Sequence, residues 1–309
     1  MVRFILRRCI TSAFVVFGVV TLVFGVLRAV PGDPVESILG EDAQEVDKLA
    51  LRACLMLDEP LYKQYRAFWR DVASGSFGEL CDERGQTVFG KLAGAIPYTA
   101  ELALAALLVA VLIAFPLGVA AAWRPYSWVD NTSAALALLG VSVPNFWLGP
   151  MLLILFSLTL QLLPNPGSGV VGLSALVLPA ITLGTGMSAK LMRMLRSSLL
   201  DVLGEDFVRT ARAKGLPEGA VVLKHALRNA LIPVVTIIGL QFGALLTGAI
   251  VVEKVFARPG LGTLLLDAIE KRNYVLVQGS VLVISFTYVL VNFATDLIYS
   301  AVDPRIRYD

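Results

Sequence analysis

The chain has 309 residues, 57% hydrophobic and 16% charged, with a formal net charge of +2 and a mean hydropathy of +0.75. Soluble domains carry about 25% charged residues, so this composition excludes an ordinary soluble fold and places the chain in the polytopic membrane class, with an all-α fold expected from the spans that follow. The small positive balance is no argument for nucleic acid because the cations flank apolar runs, and no strong internal repeat argues for an inverted-repeat carrier.

A crossing helix needs about 20 mostly apolar residues, and six candidate transmembrane helices meet that demand: 9–27, 98–123, 132–163, 173–191, 230–252 and 275–302. Arg3, Arg7 and Arg8 place the N-terminus of the first inside. Its apolar run exceeds a signal-peptide core and is followed by a poor cleavage site, so residues 1–30 are read as a retained helix.

Residues 31–97 then lie outside, with twelve acidic and seven basic side chains, too few and too broken for an independent enzyme. Leu61, Tyr65, Phe68, Trp69 and Val72 recur at helical spacing and predict one amphipathic helix. Packing of its apolar stripe on the outer ends of the spans is the favoured reading; a rim for a delivery protein or a substrate is the sharper one. Gly75, Gly78 and Gly85 mark turns after it. Cys54 and Cys81 fall in this segment, and an oxidising compartment permits a disulfide worth about 3 kcal/mol. Two free thiols are the favoured expectation, since spacing alone does not show that they meet.

The second span carries Glu101 near its outer end, and the last carries Asp296. Either intramembrane charge can line a pathway, and each is also placed for structural pairing near an interface. The third candidate is too long for one straight crossing and contains Pro144 and Pro150, so a single kinked helix is expected. Gly239, Gly243 and Gly248 on the fifth allow close helix approach, with a translocation-path face as the alternative. Asn145, Gln241 and Asn292 can hydrogen-bond a peptide backbone or a neighbouring helix. Residues 98–302 form the five-helix core, and 303–309 the cytoplasmic tail.

Between the fourth and fifth spans lies the polar segment 192–229. From 190 to 229 there are eight Lys/Arg against four Asp/Glu, which puts this loop in the cytoplasm with Arg305 and Arg307. A helix over 192–208 is weakened by Gly204. A second over 206–214 stops at Gly215 with Pro217 beyond, and a third over 218–230 leads to Pro233 at the start of the fifth span. Lys190 and Arg193 mark the inner membrane boundary. The bland reading is a basic flank that only fixes topology.

No Gly-rich loop of the P-loop type occurs, and the single histidine, His225, has no partner set for a triad or a metal site. Catalysis on this chain, and a metal on it, are therefore not expected.

The run Arg-Thr-Ala-Arg-Ala-Lys-Gly-Leu-Pro at 209–217, followed by Lys-His-Ala-Leu-Arg-Asn-Ala-Leu-Ile-Pro-Val at 224–234, resembles the cytoplasmic signature of the dipeptide/oligopeptide/nickel permease family of binding-protein-dependent ABC importers. Val-Pro-Gly-Asp-Pro at 30–34, Pro-Gly-Leu-Gly at 259–262 and Asp-Pro-Arg-Ile-Arg at 303–307 agree in order, so the resemblance covers essentially the whole chain. Against the general importer signature, Arg209, Thr210 and Ala211 stand where Glu-Ala-Ala is usual. His225 and Arg228 replace Ile and Pro, and Leu227 matches; the departure resembles the peptide branch.

The resemblance implies a type I ABC-importer permease architecture with cytoplasmic coupling helices. Gly215 would allow the turn, Ala211 a close helix approach, and Leu216 an apolar plug in an ATPase cleft. Arg209, Arg212 and Lys214 would complement acidic rim residues. It further implies a second homologous permease, two ATP-binding subunits carrying ATP and Mg, an extracytoplasmic solute-binding protein and a bacterial inner membrane, with no cofactor on this chain. Peptide-like cargo is expected, with a nickel chelate, glutathione or another small solute as alternatives. An autonomous secondary carrier or channel would need coupling charges or a selectivity ring that the sequence does not display.

Overall fold

The structure is a computed structural model that describes residues 2–40, 42–81, 85–169 and 172–302, with side chains described over 6–297 in those ranges. The 303–307 motif, with Arg305 and Arg307, lies outside the described residues, as does the side chain of Arg3. The described residues are helical apart from turns and one isolated bridge, Glu79 to Thr87. In chain order the helices are α1 (Val2–Ala29), α2 (Pro34–Leu39), α3 (Glu45–Cys54), α4 (Leu61–Ala73), α5 (Val88–Trp123), α6 (Trp128–Ser142) and α7 (Asn145–Leu152). After a π-helical stretch, Leu153–Thr159, come α8 (Leu173–Leu203), α9 (Asp206–Ala213) and α10 (Glu218–Ala220). A second π-helical stretch, Val221–Ala226, leads into α11 (Leu227–Val255), then α12 (Leu261–Glu270) and α13 (Tyr274–Val302). Among the described residues five helices are long and apolar enough to cross a bilayer, or six if the α6–α7 pair is one crossing.

Four helix bounds depart from expectation. Instead of one kinked helix over 132–163, α6 and α7 meet at 102°. Val143 is held extended (φ −87°, ψ 115°) by the ring of Pro144, which caps α7 and cannot continue α6. The second span begins at Val88 rather than 98 and runs through Pro97, because Val88 and Leu92 are fully buried and packing outweighs one lost backbone bond. The fourth span and the helix expected after it are one helix, since Leu191, Leu195 and Leu199 continue a single buried stripe. Likewise, Pro233 lies inside α11 and does not start it.

The chain divides into two compact units, 1–99 with 259–290 and 100–258 with 291–309. In the first, Leu80, Val88, Leu92, Leu261, Leu276 and Val277 form one cluster. The stripe of α4 packs inward: Phe68 joins Val20 of α1 and Leu282 of α13, Trp69 stacks on Phe17, and Tyr65 meets Phe24 edge-on while its hydroxyl bonds Thr21 at 2.8 Å. Cys54, at the end of α3, and Cys81 are disulfide-bonded, with Cα atoms 6.0 Å apart. The expectation of free thiols is corrected, because the turns at Gly75 and Gly78, both at positive φ, fold the chain back to α3.

The second unit is built on α8. Its buried Leu183, Met187, Leu191 and Leu195 pack with Leu102, Ala106, Ala110 and Ala114 of α5 and with Leu245, Ala249 and Val252 of α11. Small residues let these helices approach closely: a Cβ on Gly184 would stand 2.6 Å from the Ala106 carbonyl oxygen.

Candidate functional site

The polar segment folds into an elbow fixed to α8 and α11. Gly204 ends α8, extended Glu205 precedes α9, and Asp206 places a carboxylate at the positive end of that helix. Val208 and Ala211, three residues apart, face one side and bury against Leu199, Val221, Val222, Ala226 and Ala230. The turn after α9 is a Schellman motif: the Gly215 N–H bonds the Arg212 carbonyl at 2.9 Å, and the Leu216 N–H bonds that of Ala211 at 3.4 Å. Gly215 holds φ +77°, where a side chain is strained. The Ser198 hydroxyl donates to the Ala230 carbonyl at 2.9 Å and ties α8 to α11 above the elbow.

Burial sorts the coupling residues. Arg209, Thr210, Arg212, Lys214, Gly215 and Arg228 are exposed, Leu216 is 38% exposed, and His225 and Leu227 are half-buried. Ala211 faces inward, so the close approach it permits is to the 221–226 stretch of its own chain. Arg212 is held within the elbow by a forked pair with Glu218 at 3.1 and 2.6 Å, and that hydrogen bonding raises the Arg212 pKa above its ordinary value. Arg209 makes a single contact of 3.4 Å to Asp206 from an exposed position, which contributes little. Phe207, 41% exposed beside Asp206, was missed; an aromatic residue in an otherwise charged stretch was the available signal.

A cavity of about 300 Å³ lies where α6 breaks into α7, closed by α8 and α11. Asn145, Gln241 and Gly248 come together in its lining, joined by Gly140, Gly186 and Lys190. Lys190 donates to the Gln241 side-chain oxygen at 3.2 Å. A Cβ on Gly248 would meet Leu183 at 2.9 Å and the Asn145 amide nitrogen at 3.5 Å, so glycine there leaves room for the amide.

The remaining sequence candidates lie apart from this lining. Gly239 is a packing glycine, since an added Cβ would overlap the Thr295 side chain of α13, and Gly243 is buried within α11. Glu101, 60% exposed, pairs with Arg258 at 3.4 Å, while Asp296 and Asn292 are half-buried on α13. A second, more buried ion pair escaped the sequence reading: Asp130 of α6 accepts two bonds from Arg196 of α8, at 2.5 and 2.6 Å, and a third from the Tyr126 N–H at 2.9 Å. Sixty-six residues separate that pair, beyond any local pattern.

Comparison with known proteins agrees along the whole chain. Residues 114–308 match the family described as "Binding-protein-dependent transport system inner membrane component", and residues 1–103 match its N-terminal companion. The glutathione transport system permease protein GsiC of Salmonella choleraesuis (strain SC-B67) is 42% identical over 309 residues, covering all of both chains, and that of Escherichia coli (strain K12) is 41% identical over the same extent. Two solved structures share the fold: an inward-facing MetNI methionine ABC transporter, with TM-score 0.54 and 22% identity over 69% of this chain and 96% of that one, and an amino acid ABC transporter with histidines, with TM-score 0.52 and 14% identity over 77% and 98%. The chain therefore belongs to the family of binding-protein-dependent transport system inner membrane components, and is a multi-pass permease subunit of an ABC importer.

Proposed function

We propose that this permease moves small peptide-like solutes inward by alternating access, driven through the elbow at α9 by ATP-binding subunits. The observation that carries this reading is mechanical. The elbow is packed onto α8 and α11, and the same two helices close the cavity that contains Asn145, Gln241 and Lys190. A push on the exposed Phe207, Leu216 and Lys214 is thereby delivered to the cavity walls through continuous helix. Peptide-like cargo is supported by the glutathione permeases that match at 41–42% over the full length, glutathione being itself a small peptide.

In this reading both termini and 192–229 face the cytoplasm, and 31–97 faces outward, where a solute-binding protein delivers cargo. A second homologous permease completes the pathway, and two ATPase subunits hold ATP and Mg. Arg209 and Lys214 serve encounter with them more than affinity, being exposed.

Gentle-detergent purification of the chain from its native membrane, with mass spectrometry of what accompanies it, tests the assignment of partners. Recovery of a second permease and of ATPase polypeptides supports it, and replacing both Gly215 and Leu216 should remove the ATPases while leaving the permease pair. A chain that purifies alone and transports without ATP would be an autonomous carrier instead.

A further inference from the structure

We propose that Lys190 anchors a carboxylate of the solute, and that the cavity at the α6–α7 break is the subsite for the cargo's anionic end; this rests on the peptide-import reading above. Lys190 is the one charged side chain in the lining among the described residues. Its hydrogen-bond partner there is the neutral Gln241 amide, which occupies one of three ammonium donors. The Asp130–Arg196 pair shows the other solution available to this unit: a cation needed only for structure is neutralised by a carboxylate on the neighbouring helix. Among the described residues Lys190 has no such mate.

An ionisable side chain on a spanning helix that no opposite charge neutralises is a functional-site candidate by default. Nor does the backbone supply a substitute field, because the carbonyl end of α6 and the amide end of α7 meet at the cavity with opposed dipoles. The positive charge in the lining is therefore that of Lys190, flanked by two amides able to donate, Asn145 and Gln241. A cavity of about 300 Å³ is at the small end for ligand sites, which suits one end of a peptide more than its whole length. A lysine reads charge without the planar geometry that arginine imposes, so the subsite selects for an anion and tolerates varied side chains behind it.

The test is ATP-driven uptake by the complete importer in proteoliposomes, with its binding protein present. The probes are glutathione and its two forms in which one carboxylate or the other is a carboxamide. Selection by the binding protein is common to every variant and cancels when the acid-to-amide uptake ratio of one variant is divided by that of another. For at least one amide that ratio should be about tenfold higher in wild type than in K190Q, equivalent to about 1.4 kcal/mol. The fall in K190Q should come mainly from lost acid uptake, and K190R should keep most of the wild-type ratio. Acid and amide uptake falling together in K190Q, or a ratio unchanged for both amides, would overturn the anchor and leave peptide import standing. Wild type that takes up no glutathione with ATP removes the cargo reading itself, and the anchor with it.

Discussion

At single positions, backbone strain and crowding separate glycines that look alike in the sequence. A Cβ on Gly215 meets nothing within 4 Å, so Gly215→Ala carries only the left-handed penalty, about 1–2 kcal/mol. The expected result is faster amide exchange confined to 206–216. Leu216→Ser removes exposed apolar surface and should leave stability within about 0.5 kcal/mol. If it nevertheless lowers recovery of ATPase subunits, the loss belongs to docking and not to folding. At Gly239 the constraint is reversed: the backbone is ordinary helix, but a new Cβ overlaps Thr295. Gly239→Ala should destabilise by about 1–3 kcal/mol through overpacking, and Thr295→Ala in the same chain should recover part of it, read by thermal unfolding in detergent.

Pairs of elements depend on two cross-links of different kinds. The Asp130 side chain is 5% exposed and that of Arg196 28%, so Asp130→Asn should cost about 2–3 kcal/mol, below the range for a wholly buried pair because Arg196 keeps some water. Replacing both by leucine should be milder than either single change, since neither variant partner is left as a lone buried charge. That comparison, by unfolding temperature, separates a structural clamp between α6 and α8 from incidental contact. The Cys54–Cys81 bond spans 27 residues, and in the chain-entropy account its removal costs about 3–4 kcal/mol. Limited proteolysis of Cys54→Ser/Cys81→Ser should cut within 55–80 under conditions where the parent resists. The packing of α4 through Phe68 should keep α4 itself intact.

For the chain as a whole, orientation is the property that organises the rest. A cysteine placed at Glu218 in a chain lacking the native ones should react with impermeant maleimide only in inside-out vesicles, and one at Asp58 only in right-side-out cells. Both residues are exposed, so access and not burial decides the outcome. Much of this architecture could be read locally: the stripe Leu61 to Val72 announced α4, and Gly215 with Pro217 announced the elbow. Helix ends at prolines misled, because Pro97 and Pro233 are carried inside helices by packing on distant residues while Pro144 breaks one outright. What decides between those outcomes is the neighbour against which Val88 or Val234 buries, and a single sequence does not display neighbours. The Asp130–Arg196 pair and the grouping of Lys190 with Gln241 were hidden for the same reason: their members are 66 and 51 positions apart.

The π-helical stretch Val221–Ala226 acts as a phase setter between two distant surfaces. It admits one residue more than an α-helix would before α11 begins, and so fixes the azimuth at which Gln241 and Gly248 arrive relative to the face that holds α9. Deleting a single residue there would restore ordinary winding and leave the downstream face nearly in place, whereas rewinding all six residues as α-helix would turn everything downstream by about 100° with a slip of about 1.5 Å. The cavity wall would then present a different row of side chains while the elbow and every lining residue kept their identities. A one-residue deletion within these six positions is thus absorbed better than one in the α-helical turns of α11, where nothing compensates the lost 100°.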